Sequence, residues 1–222
     1  MKNSFVRSIA AATLLAGAVV LGAQETRNPG ADPLSKLDPQ TRYAIELLLD
    51  SARLAGLPYG PLESKALEGV SKHASSRDIL AAVRRVLRSL RDARGALGAN
   101  ATSDELTAAA GALRAGISSA ELSRLSASRE AKSSLTVPLV VLSDLVRRGV
   151  ARDTASLTIF QLLKGGAADD DFLGLWRSVE RDIISGTDPG VALLNRARQM
   201  PTRGPPNAGL PSAGVRPEDA KS

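Results

Sequence analysis

The feature that most restricts this chain is a punctuation that recurs between Asp38 and Met200. An amphipathic run is followed by a Gly, one apolar or small residue, a few polar residues and then another amphipathic run. Glycine just past a helix takes the left-handed conformation that closes the last turn, and the next apolar residue packs back on that turn. Gly56-Leu57, Gly69-Val70, Gly116-Ile117 and Gly149-Val150 fit this pattern, and Gly98, Gly165 and Gly186 fit it in part. The starts are marked by residues that accept hydrogen bonds from a first turn: Asp38 before Pro39, Ser75 or Ser76, Ser103, the trio Asp169, Asp170 and Asp171, and Asp188 before Pro189.

The runs between these marks have helical periodicity. Ile79, Val83, Val86, Leu90 and Leu97, with Ala93, recur at steps of three and four and predict one apolar seam. Aromatics supply only 3% of the chain, so the core is expected to be aliphatic, with Phe160, Phe172 and Trp176 filling part of it. The segment 118–148 is less regular, and Pro138 predicts a break near 133–137. Turns at residues 67–71, 114–118 and 164–167, spaced by 47 to 50 residues, suggest about three helix-pair units. The expected fold is all-α, with stacked helical hairpins forming an α-solenoid-like array or an irregular helical bundle, and disordered termini.

The ends differ in composition. Residues 1–23 carry Lys2 and Arg7, an apolar run over 9–22, and small residues before Gln24, the layout of a secretory signal peptide. An uncleaved anchor is the alternative, and Leu21 departs from the small residue usual three places before the cut. Residues 24–37 are a polar linker with Pro29 and Pro33, 38–200 form the helical domain, and 201–222 form a Pro- and Gly-rich tail with too little apolar surface to offset its ordering. No membrane span is expected after cleavage, since the run 135–142 is too short and contains Pro138. The mature chain is expected in a periplasm-like compartment or outside the cell, where Asn100-Ala101-Thr102 could accept a glycan. Losing Lys2 and Arg7 lowers the formal charge from +6 to +4.

The sequence excludes more chemistry than it suggests. With no cysteine there is no disulfide, thiolate metal site or thiol nucleophile, and His73 stands alone in a polar turn. No catalytic residue, metal ligand or cofactor is assigned. The aspartate trio reads as negative charge favoured at a helix start rather than as a cation site. Glu63, Glu68, Glu121, Glu130 and Glu180 are dispersed acids whose pairing across a cleft sequence does not reveal.

The one concentrated signal is basic. Arg84, Arg88 and Arg91, with Arg77, follow steps of seven, four and three along one side of a helix, an expected contact face for an anionic group or a partner. An envelope protein or an acidic polymer fits such a face. Nucleic acid fits poorly, because aromatics do not alternate with the basic residues to form a stacking platform. The expectation is an exported, non-catalytic binding or scaffold protein of the cell envelope. The alternatives are an enzyme, or its accessory subunit, acting on an envelope polymer through dispersed carboxylates, and a structural helical oligomer.

Overall fold

The computed structural model describes residues 33–128 and 133–200. The expected signal peptide, most of the linker, Glu130 and the tail lie outside them. Among the described residues there are nine α-helices and no strand: α1 (Pro39–Leu54), α2 (Gly60–Ser71), α3 (Ser76–Leu97), α4 (Ser103–Arg114), α5 (Ser119–Ser128), α6 (Thr136–Arg147), α7 (Arg152–Lys164), α8 (Asp169–Ile184) and α9 (Pro189–Arg198). A single 3-10 turn, Pro33–Lys36, precedes them.

The helices pack in two rows. Each of α1, α3, α5, α7 and α9 lies against the next in that series, and α4, α6 and α8 form the second row. The rows meet through α2 with α3, α3 with α4, α6 with α7 and α8 with α9. Ordered pairs of contacts between row neighbours show that α1 runs parallel to α3, and α6 to α8. Ser76 donates to Asp38 and Arg91 to Ser51, partners 38 and 40 residues apart. Arg152 donates to the Gly116 carbonyl at a separation of 36, and Trp176 donates to Asp144 at 32. Every second helix thus returns to the same row, which is the geometry of stacked helical hairpins. The three turns marked in the sequence are not equivalent places in this stack: those near Gly69 and Gly116 follow α2 and α4, whereas Gly165-Gly166 follows α7, a helix of the other row.

The turns share one construction. Behind α1, α2, α4, α6, α7 and α8, a backbone N–H returns five residues to a helix carbonyl: Leu57 to Ala52, Ala74 to Gly69, Ile117 to Ala112, Val150 to Leu145, Ala167 to Leu162 and Thr187 to Asp182. The residue before each donor has positive φ, and in one turn that residue is His73 at 53° instead of a glycine. Two glycines therefore do something other than the sequence suggests. Gly69 lies inside α2, where a Cβ would stand 2.6 Å from Cγ1 of the buried Ile79, so its role is close helix approach. Gly166 rather than Gly165 takes the left-handed position after α7.

The starts follow the same economy. Side chains of Asp38, Ser75, Thr102 and Asp188 accept from the first turns of α1, α3, α4 and α9. Thr102 rather than Ser103 caps α4, in a reciprocal pair with Glu105. The aspartate trio lies inside the first turn of α8, and Asp171 reaches back to accept from the Ala168 N–H at 2.9 Å. Residues 133–135 are non-helical, in the region of the break expected from Pro138, which sits in the first turn of α6. The α3 seam is buried as a unit, Phe172 is fully buried, and Trp176 and Phe160 are half-buried. No helix among the described residues is long and apolar enough to cross a membrane.

Candidate binding surface

The seam of α3 fixes where its arginines go. With Ile79, Val83, Val86, Leu90, Ala93 and Leu97 turned inward, 3.6 residues per turn place Arg77, Arg84, Arg88 and Arg91 on the opposite side, and all four are exposed. The structure keeps the three sequence-assigned residues Arg84, Arg88 and Arg91 on one stripe. Among the described residues neither Arg84 nor Arg88 has an ion-pair partner, and Arg91 bonds only to the Ser51 hydroxyl, at 2.9 Å. Asp78, a potential neutralising neighbour, instead accepts from the Ser75 hydroxyl at 2.6 Å as part of the helix start.

Beside this stripe lies a feature the sequence reading missed. Helix α1 buries Thr41, Ile45, Leu49 and Ala52, which leaves Tyr43, Leu47 and Leu54 on its outer side, exposed by 62%, 52% and 91%. The signal was present: no single helical stripe holds positions 43, 45, 47, 49 and 54 together, so some of these apolar residues had to face away from the core. The Arg91–Ser51 bond joins the two helices edge to edge and sets the apolar crest of α1 directly beside the arginines of α3. On the far flank of α1, Arg53 pairs with Asp50 at 2.7 Å and lies over the Tyr59 ring, while Arg42 pairs with Glu46.

Further along the same row, α5 and α7 enclose a cavity of about 310 Å³ lined by Glu121, Arg124, Leu125, Asp153, Ser156, Leu157 and Phe160. Glu121 is buried and accepts from both the amide and the hydroxyl of Ser118, at 2.8 and 2.6 Å. Burial pushes its carboxyl up, but those two bonds, Ser156 and the charge of Arg152 outweigh it and hold the value below the usual range. The group is thus a helix cap in carboxylate form, the opposite of a carboxyl poised to donate a proton.

Glu68 and Glu180 are tied to basic neighbours. Glu68 sits between Lys65 and Lys72, whose ammonium groups hold its carboxyl down at about 2. Glu180 pairs with Arg148 at 2.6 Å, and the same guanidinium bonds Asp144, which also accepts from Trp176. Glu63 is half-buried at the start of α2. Hydrogen bonds from Ser76 and Thr41 hold Asp38 at about 2. The buried acid the sequence reading overlooked is Glu105, with Thr102-x-x-Glu105 as its signature. His73 is exposed, and no group of three or more metal-ligating side chains occurs among the described residues.

Compared with family models, with curated protein sequences and with solved structures, the chain finds no match.

Proposed function

We propose that this chain is an exported, non-catalytic binding or scaffold protein of the cell envelope, and that the outer side of α1 and α3 is where it meets its partner. The single observation that carries the reading is the pairing of an arginine stripe, in which Arg84 and Arg88 have no ion-pair partner among the described residues, with an adjacent exposed apolar crest. An exposed Tyr-Leu-Leu row costs solubility without adding to the core, and arginines without ion-pair partners beside it retain their forked donors for a ligand, so recognition is the use that fits such a surface. Export rests on the pattern of residues 1–23. Among the described residues, Asp38, Glu68, Glu121, Asp144 and Asp182 are each held below the ordinary carboxylate range by neighbouring hydrogen bonds or positive charge, which supports a structural use for these five acids.

The experiment is chemical cross-linking in the native envelope with mass spectrometry, comparing wild type with Arg84→Ala/Arg88→Ala/Arg91→Ala. Capture of one envelope protein or acidic polymer by wild type, lost in a folded triple variant, supports the reading. Equal capture by both removes the stripe from it.

One observation favours the enzyme alternative: Glu121 and Asp153 share the cavity between α5 and α7. That alternative requires hydrolysis of an envelope polymer that disappears in Asp153→Asn while the fold is kept.

A further inference from the structure

Resting on that reading of the α1–α3 face, we infer that its partner is an acidic amphipathic helix, which lays an apolar side on Tyr43, Leu47 and Leu54 and turns carboxylates toward Arg77, Arg84, Arg88 and Arg91. The dimensions define the occupant. Positions 43–54 cover about 16 Å of α1 and positions 77–91 about 21 Å of α3, so a helix of about 14 residues covers both stripes. The crest residues follow steps of four and seven, the spacing at which a second helix places its own anchors. Guanidinium groups about 5 to 10 Å apart along α3 match carboxylates repeated every three, four or seven residues on a parallel or antiparallel partner. Arginine rather than lysine at all four positions favours forked hydrogen bonds to those carboxylates.

Charge also selects among possible occupants. The chain's own flanks, residues 1–32 and 201–222, each carry three basic side chains against two acidic ones, so neither supplies the complement to an arginine stripe. A broad anionic lipid surface would meet the exposed carboxylates of Glu46, Asp50 and Asp92, which border the two stripes, as well as the arginines. A narrow helix touches the stripes and leaves those carboxylates in water.

The test is fluorescence anisotropy with the full chain, freed of residues 1–23, and a labelled synthetic 14-residue peptide. The peptide carries Leu at helical anchor spacing and Glu along one flank. The comparators are a scrambled peptide of equal composition, the Lys-for-Glu peptide and vesicles of phosphatidylglycerol. The expected result is saturable binding of the acidic peptide below about 100 μM. Binding should weaken at least about tenfold for the scrambled peptide, for Arg84→Glu/Arg88→Glu/Arg91→Glu and for Leu47→Ser/Leu54→Ser. It should also weaken between about 50 and 500 mM salt. Arg177→Glu, on α8, should leave it unchanged, and matching melting temperatures would establish that every variant is folded.

No saturable binding, equal binding of the scrambled peptide, or binding to vesicles in preference to the peptide would each overturn the inference. Concentration-dependent self-association abolished by Leu47→Ser/Leu54→Ser would overturn it in favour of a second copy. Arginine-dependent capture in the envelope without peptide binding would sink this inference and leave the proposed function standing. Loss of both would remove both.

Discussion

Replacing Glu105 by Gln perturbs the most deeply placed carboxylate contact between α4 and α6, neighbouring helices of the second row. Glu105 is 2% exposed, and its two oxygens accept from different segments: one from the Thr102 N–H at 3.0 Å, the other from the Leu135 N–H at 2.9 Å, 30 residues away. The first bond closes the start of α4, and the second anchors the chain as it enters α6. Glutamine keeps one acceptor oxygen and presents an NH₂ group in place of the other, so a buried N–H faces a donor. Losing a bond to a charged acceptor and stranding a donor costs about 2 to 4 kcal/mol, and removing the burial penalty of the carboxylate returns part of it. A net loss of about 2 kcal/mol corresponds to a fall in Tm of about 4 to 8 °C for a chain of this size. Thermal unfolding followed by circular dichroism measures it. Thr102→Ala, which removes the cap hydroxyl and spares the Leu135 bond, should cost only about 1 kcal/mol. A Glu105→Gln melting temperature within about 1 °C of wild type would refute the argument that this carboxylate ties α4 to α6.

Four other substitutions have definite signs. Gly116→Val places a β-branched residue at φ 100° and should cost about 2 kcal/mol, whereas His73→Gly relieves a left-handed non-glycine residue and should raise stability by about 0.5 to 1 kcal/mol. Equilibrium urea unfolding of the pair checks both, and opposite shifts are required. Gly69→Ala gains about 1 kcal/mol of helix propensity but drives a methyl to 2.6 Å from Ile79 Cγ1, so a net loss of about 1 to 2 kcal/mol is expected, reduced when Ile79→Ala is added. Asp144 is raised by burial but lowered further by Arg148, Trp176 and Arg147. Its contribution is therefore fully present above the unfolded value near 3.8 and lost as pH falls through the lower folded value. The gap in Tm between wild type and Asp144→Asn should be steady near neutral pH and close below about pH 4; a gap that widened in acid would reverse this assignment.

What could be read in the sequence followed from local rules. Helix ends are legible because a cap or a left-handed residue acts within five residues of itself, which is why Asp38, Gly116, Gly149 and Asp188 could be placed without tertiary information, and the start of α3 to within Ser75 or Ser76. The misplacements arise where a distant partner decides. Gly69 resembles a cap glycine in its local sequence, but Ile79 on the next helix determines that it lies inside α2, and the left-handed position passes to His73. The arginine stripe was legible because it needs only the period of one helix. The apolar crest on α1 was not, because Leu47-Leu48-Leu49 reads as core until the rows show that Leu49 points inward and Leu47 outward. The stacking relation was hidden for the same reason: turns closing helices of different rows look alike in sequence.

Exposed apolar side chains are unevenly shared between the rows. Among the described residues, six of the nine exposed large apolar side chains lie on them: Tyr43, Leu47, Leu54, Leu157, Val191 and Leu194. In the even-numbered row, Arg148 joins Asp144 to Glu180 across α6 and α8 and lies 5.6 Å from the Trp176 ring. Asp182 at the end of α8 is held by Arg196 of α9. Ion pairs and a stacked guanidinium at such joints fix how neighbouring helices meet, and their groups are no longer available to a ligand. On α3 the guanidinium groups of Arg84 and Arg88 fix nothing within the described fold. Removing them should therefore leave stability nearly unchanged, whereas removing Arg148 should lower it. Equal losses of Tm in Arg88→Ala and Arg148→Ala would place both arginines in the same structural role and end the distinction between the two rows.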